Sequence, residues 1–300
     1  MRIAFFGNPE KEEIAGYLPQ WDAFLAQENH QLVLTRDLAG QLANELSNAS
    51  LVDDTSELCE NCDLMVSLGG DGTILWAAQL VQSRNIPLLG VKFGGLGFLA
   101  EISPEEFQRS LLEIGQGLWK TQKRMMLAGT LFYKGREKST VSATVLNEFS
   151  IVGGHFGQLS RTDVWVNDNH VCTYIADGVL ISTPTGSTAY SLAARGPLLM
   201  PTANSVIIAP ICPHTLTARP LVVDGDAKIK IRPADDEKRA LFINADGREI
   251  GQMTDNDELL VSKSENSITL LHRSDRTFFD ILRAKLNWGG DIRQSDNGKR

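Results

Sequence analysis

Leu64-Met65-Val66-Ser67-Leu68-Gly69-Gly70-Asp71-Gly72-Thr73 is an apolar run that stops at two glycines, a carboxylate, a third glycine and a hydroxyl. Ile74 to Val81 follows at once and reads as a helix. Strand, glycine turn and helix in that order present backbone N–H groups and a helix N-terminus to a phosphate. Gly69, Gly70, Gly72 and Thr73 are therefore the candidate phosphate-binding residues: glycine lets backbone approach a ligand closely, and the Thr73 hydroxyl can bond a phosphate oxygen. Asp71 is out of place in a simple anion cradle, because its charge repels phosphate. It fits if it holds a metal or takes a proton.

Outward from this motif the chain alternates strands and helices. Arg2 to Gly7 reads as a buried strand ending at the turn Gly7-Asn8-Pro9, and Lys11 to Glu28 as helix interrupted at Gly16 and Pro19. Gln31 to Thr35 is a second strand and Leu38 to Leu46 a helix. Ile86 to Val91 is another buried strand, followed by a second glycine turn at Gly94-Gly95-Leu96-Gly97. Ser103-Pro104-Glu105-Glu106 has Ser at the cap, Pro at the first position and acids in the first turn, a helix start. This alternation predicts a parallel sheet with helices on its faces. In such a sheet the strand C-termini share one edge, so both glycine turns are expected to line one crevice.

After Lys120 the texture changes to short alternating runs between polar turns, such as Thr162-Asp163-Val164-Trp165-Val166 before Asn167-Asp168-Asn169. From Met125 to Leu271 the expectation is a sandwich of antiparallel sheets. Phe278 to Lys285 returns to helical spacing. The fold expected is an α/β N-terminal Rossmann-like domain, 1–120, followed by an all-β C-terminal β-sandwich domain, 121–276.

Composition excludes several classes. The 300 residues carry a formal charge of −8, which offers no general footprint for nucleic acid or an anionic membrane. The apolar run at the N-terminus is too short for a signal peptide, and no run reaches the eighteen or so apolar residues of a membrane helix. Cys59-Glu60-Asn61-Cys62 lacks the second pair that a zinc site wants, so all four cysteines read as reduced thiols in a cytoplasmic setting.

Two further stretches carry chemistry. Asn147-Glu148 closes the alternating run from Val141, and an amide beside a carboxylate can bracket two neighbouring hydroxyls, as on a ribose. Asp177 to Ala193 runs from a buried strand through Ser182-Thr183-Pro184-Thr185-Gly186-Ser187-Thr188 into Ala189-Tyr190-Ser191-Leu192-Ala193. Its small residues leave room for a flat ring, and its hydroxyls offer partners to a base edge or diphosphate. Ser187 or Thr188 is the expected cap of the helix-like stretch.

In this order and at these separations, the glycine turn at 69–73, Leu96-Gly97-Phe98-Leu99, Asn147-Glu148 and the run from Asp177 to Ser191 resemble the NAD kinase family. Pro213-His214-Thr215-Leu216 and Ala218-Arg219-Pro220-Leu221 match as well. The first motif is shared with diacylglycerol and sphingosine kinases; the Thr183 to Ser191 stretch is the specific one. The resemblance implies transfer of a phosphoryl group from ATP or polyphosphate to the 2′-hydroxyl of the adenosine ribose of NAD, giving NADP. It implies that a C-terminal helix, 277–300, packs back on the first domain. It makes Asp71 the proton acceptor and sets Gly72 against NAD. Asn147 and Glu148 then hold ribose, and Asp177 contacts the nicotinamide side. Thr188, Ala189, Tyr190 and Ser191 surround the adenosine part, with Leu192 and Ala193 beside them.

Gly95, Ile175 and Arg248 are further candidate positions. Mg²⁺ is expected mainly on the donor's phosphates, with no protein ligand set of its own, and the assembly as a homodimer or homotetramer without nucleic acid or membrane. Three positions depart from the commoner pattern: Ile175 where some members carry Arg, Arg195 where Gly is frequent, and Arg248 where Gln is usual. The rival readings are a lipid kinase of the diacylglycerol kinase type, which leaves Thr183 to Ser191 unexplained, and a non-catalytic NADP(H)-binding sensor, which does not need Asp71.

Overall fold

A computed structural model of the chain describes residues 1–95, 97–134, 140–153, 159–235, 237 and 239–288. Leu96 of the second glycine turn and the expected helical tail from 289 to 300 lie outside the described residues. The chain forms two compact units, Met1–Gln122 with the segment from Thr269, and Lys123–Ile268.

The first unit opens with β1 (Arg2–Gly7), α1 (Glu12–Ala15), α2 (Leu18–Gln27) and β2 (Gln31–Thr35). Gly16 and Pro19 separate two helices: Gly16 caps α1, and Pro19 stands in the first turn of α2, where its missing N–H costs nothing. Next come α3 (Arg36–Ala39), β3 (Ala49–Val52), β4 (Leu64–Leu68), α4 (Asp71–Val81), β5 (Leu88–Val91) and α5 (Phe107–Gly115). The helix expected from Leu38 to Leu46 is instead α3 and a 3-10 stretch Gly40–Asn44, because Gly40 turns left-handed at φ 54° and breaks the ladder. Strand β3 was not foreseen; it is short and half-buried throughout, without the alternation that marks a strand. Ser103 and Glu106 form a reciprocal capping box ahead of α5, as their spacing predicts.

Strands β3-β2-β1-β4-β5 pair in parallel in that order. The order reverses direction between β1 and β4, the switch point at which open α/β sheets open a crevice. Phe5 packs edge-on against Trp21 and Phe107, which are tilted to each other, in the core beside Leu18, Leu25, Val66 and Leu89. Each such buried side chain contributes roughly 1.5–3 kcal/mol.

The second unit is built from β6 (Trp119–Phe132), β7 (Thr140–Val145), β8 (Glu148–Gly153), β9 (Ser160–Val166), β10 (Asn169–Ala176), β11 (Gly178–Ser182), the short α6 (Tyr190–Ala193), β12 (Ser205–Ile211), β13 (Leu221–Asp224), β14 (Ile229–Pro233), β15 (Leu241–Ala245), β16 (Arg248–Met253) and β17 (Glu258–Arg273). One sheet runs β10-β9-β14-β17 with β6 and β7 attached; the other runs β13-β12-β11-β8-β15-β16. Alternate residues of both, including Val164, Ile229, Ile231, Leu259 and Val261 from the first and Phe149, Ile151, Val179, Ile181 and Ile243 from the second, bury one common core. That is a β-sandwich. Strand β17 then carries the chain into the first unit, where Leu270 pairs in parallel with Leu88. Helix α7 (Phe278–Leu286) starts at a Thr277–Asp280 capping box and buries Ile281 and Leu282.

Candidate active site

In the first unit the glycine turn sits where β4 ends and α4 begins. The Gly69 N–H donates to the Val91 carbonyl at 2.9 Å, fixing the turn to the end of β5. A Cβ at Gly69 would lie 2.2 Å from Thr73 Oγ1, so only glycine lets the first turn of α4 fold back this closely. Gly70 caps α4 and Asp71 is its first residue. The Asp71 carboxylate reaches the second glycine turn: Phe98 N–H donates to Oδ2 at 2.9 Å and Leu99 N–H to Oδ1 at 3.2 Å. Gly97 comes so near that a Cβ there would lie 2.2 Å from Oδ1. The two glycine turns thus meet at one carboxylate, with Gly95 exposed at the tip of the second. An ionised carboxyl offers about four lone-pair sites. Among the described residues two of those sites on Asp71 are occupied, leaving acceptor capacity for an incoming hydroxyl.

In the second unit Asn147 and Glu148 form the turn from β7 into β8, and both are buried. Their geometry is set from a hundred residues away. Asp246, in the hairpin between β15 and β16, accepts Leu146 N–H at 2.8 Å, Asn147 N–H at 2.9 Å and Glu148 N–H at 3.1 Å. The run from Ser182 to Thr188 closes on the same turn. Thr183 N–H donates to the Asn147 carbonyl at 2.8 Å and Thr183 Oγ1 to the Leu146 carbonyl at 2.5 Å. At Gly186 a Cβ would lie 2.4 Å from the Asn147 carbonyl oxygen. Glu148 Oε2 is buried with no partner. Burial, then the charge of Asp246, pushes the Glu148 carboxyl up to about 8. Burial also raises Asp246, against its three N–H donors and the charge of Arg248.

Residues 3–118 match the ATP-NAD kinase N-terminal domain and residues 146–273 the ATP-NAD kinase C-terminal domain. The NAD kinase of Magnetococcus marinus is 38% identical over 290 residues, 97% of this chain and 93% of that protein. The chain belongs to the NAD kinase family. It is a phosphotransferase by that membership. Yeast NADH kinase, solved with NADH, superposes with a TM-score of 0.87 at 24% identity, over 98% of this chain and 90% of its own. An Archaeoglobus fulgidus NAD kinase solved with ATP gives 0.70 at 23%, over 91% and 94%. At those identities the likeness is one of fold.

The stretch from Ser182 to Thr188 packs closely against the Asn147 turn. The hydroxyls of Ser182, Thr183, Ser187 and Thr188 are spent within the chain, on the carbonyls of Asn147, Leu146, Leu199 and Thr185. Neither Ser187 nor Thr188 caps α6, whose cap is Ala189 without a side-chain bond. The run is small because two backbones lie against each other there. What it exposes is Tyr190, which with Ala193, Arg195, Cys212, Leu216 and Arg219 lines a cavity of about 990 Å³ within the second unit. That volume is ample for a nucleotide. Burial, followed by the charges of Cys212, Asp177 and Glu148, raises the Tyr190 hydroxyl. Asp177 is exposed between β10 and β11, its N–H on the Ile211 carbonyl at 3.0 Å. Ser191 Oγ is buried without a partner, while Thr188, Ala189 and Leu192 are half-buried around α6.

The family departures have local explanations. Arg195 stands at φ 62° after the end of α6, the left-handed position that favours glycine. Ile175 is half-buried in β10 and its carbonyl receives the His214 N–H at 2.9 Å. Arg248 opens β16 with its charge beside Asp246. Cys59 and Cys62 are free, with their thiols on the Leu80 and Leu64 carbonyls, and burial pushes both up. Asp246 is the residue that sequence reasoning missed. Asp246-Gly247 between two alternating runs is a hairpin signal, but nothing local shows that the aspartate reaches three N–H groups near Asn147.

Proposed function

We propose that the chain transfers the terminal phosphoryl group of ATP to the 2′-hydroxyl of the adenosine ribose of NAD, with NADP and ADP as products. The observation that carries this reading is the Asp71 carboxylate, fixed by the N–H groups of Phe98 and Leu99 and still able to accept a proton. A ribose hydroxyl is a poor nucleophile until its proton has somewhere to go. The 2′-oxygen forms the new bond to phosphorus as the bond to the β-phosphate oxygen breaks, and its proton passes to Asp71. Such positioned proton acceptance contributes about 10²–10⁴ in rate. Gly69, Gly70, Gly72 and Thr73 surround the phosphates, in keeping with the close backbone approach at Gly69.

NAD binding falls to the second unit. Asn147 and Glu148 take the ribose, the buried unpartnered Oε2 of Glu148 being matched by a hydroxyl. Asp177 contacts the nicotinamide side, and Thr188 to Ala193 with Tyr190 flank the adenosine, at the mouth of a cavity of nucleotide size.

Among the described residues no three His, Cys, Asp or Glu side chains are grouped to hold a metal. Mg²⁺ is then carried mainly by the donor's phosphates and waters, in keeping with its reluctance to dehydrate into an all-protein site. When bound, Mg²⁺ neutralises charge on the donor phosphates. Four free cysteines suit a reducing cytoplasm. No helix among the described residues is long and apolar enough to cross a membrane. The edge strand β13 exposes Leu221 and Val222 near an exposed Leu216, which favours a homodimer or homotetramer.

The test is to incubate the protein with NAD, Mg²⁺ and ATP and detect NADP with an NADP-specific dehydrogenase. Initial rates with polyphosphate in place of ATP identify the donor. No NADP from either donor would sink the proposal.

A further inference from the structure

Lys92 directly follows β5, and its backbone is pinned at the sheet edge by an N–H bond to the Ile102 carbonyl at 2.8 Å. Lys285 lies in the last turn of α7, where a cation favours the helix C-terminus. Its Nζ stands 5.9 Å from the centre of the Phe98 ring, the residue whose N–H holds Asp71. Lys92 and Asp71 are near enough to Lys285 for the charge of each to act on its ammonium. Burial and then Lys92 push the Lys285 ammonium down, while Asp71 works in the other direction.

Both lysines are half-buried. Among the described residues neither forms an ion pair with a carboxylate within 4.0 Å. Helix placement accounts for Lys285 alone but not for a second ammonium against it. Two like charges held together out of full solvent are unfavourable until an anion joins them. Their place beside the proton acceptor selects which anion that is.

We propose that Lys92 and Lys285 form a phosphate-binding pair that holds the terminal phosphate of the donor beside Asp71. The inference rests on the assignment of Asp71 as proton acceptor. The two cations offset charge on the transferring group, the main service a protein can render in phosphoryl transfer.

The test compares K285M, K92M and the charge-preserving K285R with R283Q, a control on the exposed side of the same helix. Steady-state rates with MgATP and NAD are measured, together with calorimetric binding of inorganic tripolyphosphate. K285M is expected to raise KM for ATP about tenfold and to weaken tripolyphosphate binding about as much, and K92M about threefold. KM for NAD should stay within about twofold, K285R should recover most of the loss, and R283Q should match the parent. Unchanged KM for ATP and unchanged tripolyphosphate binding in folded K285M and K92M would overturn the inference. So would a loss confined to KM for NAD, which would put the dinucleotide's own phosphates on the lysines. If the parent makes no NADP yet binds tripolyphosphate through Lys285, the anion site stands and the activity assignment fails.

Discussion

Asp71 in the first unit is half-buried and accepts two backbone N–H groups from a neighbouring glycine turn. Glu148 in the second is buried, keeps an unpartnered oxygen, and is driven to about 8 by burial and the charge of Asp246. Each carboxyl stands at a turn beside an element terminus, yet their surroundings differ in kind. The first is furnished with donors and left open to a hydroxyl, which suits a group that must receive a proton. The second is desolvated next to another acid, which suits a carboxyl that is neutral at pH 7 and bonds substrate rather than reacting. Environment, not residue type, separates the two roles.

The largest expected effect tests the first half of that contrast. Asp71→Asn keeps the size and the acceptor oxygen but cannot take the proton. Turnover should fall about 10²–10⁴-fold while NAD and ATP binding by calorimetry change little. Near-normal kcat would break the comparison.

Asp246→Ala tests what holds the second half in place. It strips the acceptor from three backbone N–H groups at Leu146, Asn147 and Glu148. Stability should drop by about 2–4 kcal/mol in urea unfolding, and KM for NAD should rise more than KM for ATP. Equal changes in both KM values would mean that the Asn147-Glu148 turn has no private role with NAD.

Glu148→Gln sharpens the contrast through pH. In the folded chain Glu148 keeps its proton up to about 8, against an ordinary value of 4.5. Between those values the unfolded chain gains by ionising and the folded chain does not. The parent therefore loses stability relative to E148Q as pH rises from about 5, by on the order of a few kcal/mol, and the difference levels off above about 8. A parent and variant that run parallel from pH 5 to 9 would show Glu148 to be charged in the fold. Turnover of E148Q at pH 7 should stay within about threefold of the parent, since Gln resembles the neutral acid.

The smallest effect concerns Arg195, left-handed at φ 62° beside Tyr190 in the cavity wall. Arg195→Gly should raise stability by about 0.5–1 kcal/mol through relief of that backbone conformation. A loss of stability would mean that the guanidinium contributes packing that outweighs the strain.

Much of this was legible in the chain. Arg2 to Gly7, Gln31 to Thr35 and Leu64 to Leu68 are strands with the bounds that their apolar runs predict. Asn167-Asp168 makes a tight hairpin with both residues left-handed, as its composition suggests. Local pattern failed where a single glycine outranked it, at Gly40, and where a strand lay at the edge with no buried face, at β3. It also did not show that the hydroxyls of Ser182, Thr183, Ser187 and Thr188 bond within the chain. Side chains of that size serve equally to greet a ligand or to let two backbones touch, and composition does not distinguish the two uses.

The glycine turn from Gly69 to Thr73 was determined by sequence alone, because strand period, glycine freedom and helix start are all local properties. What surrounds Asp71 was not. The N–H groups of Phe98 and Leu99 and the ammonium of Lys285 come from segments far along the chain. The same holds for the Glu148 carboxyl, whose proton is retained because packing buries it and, second, because Asp246 lies beside it in space and not in sequence. Local chemistry named the groups; only long-range packing set the field around them, since desolvation and charge act through distance rather than chain position.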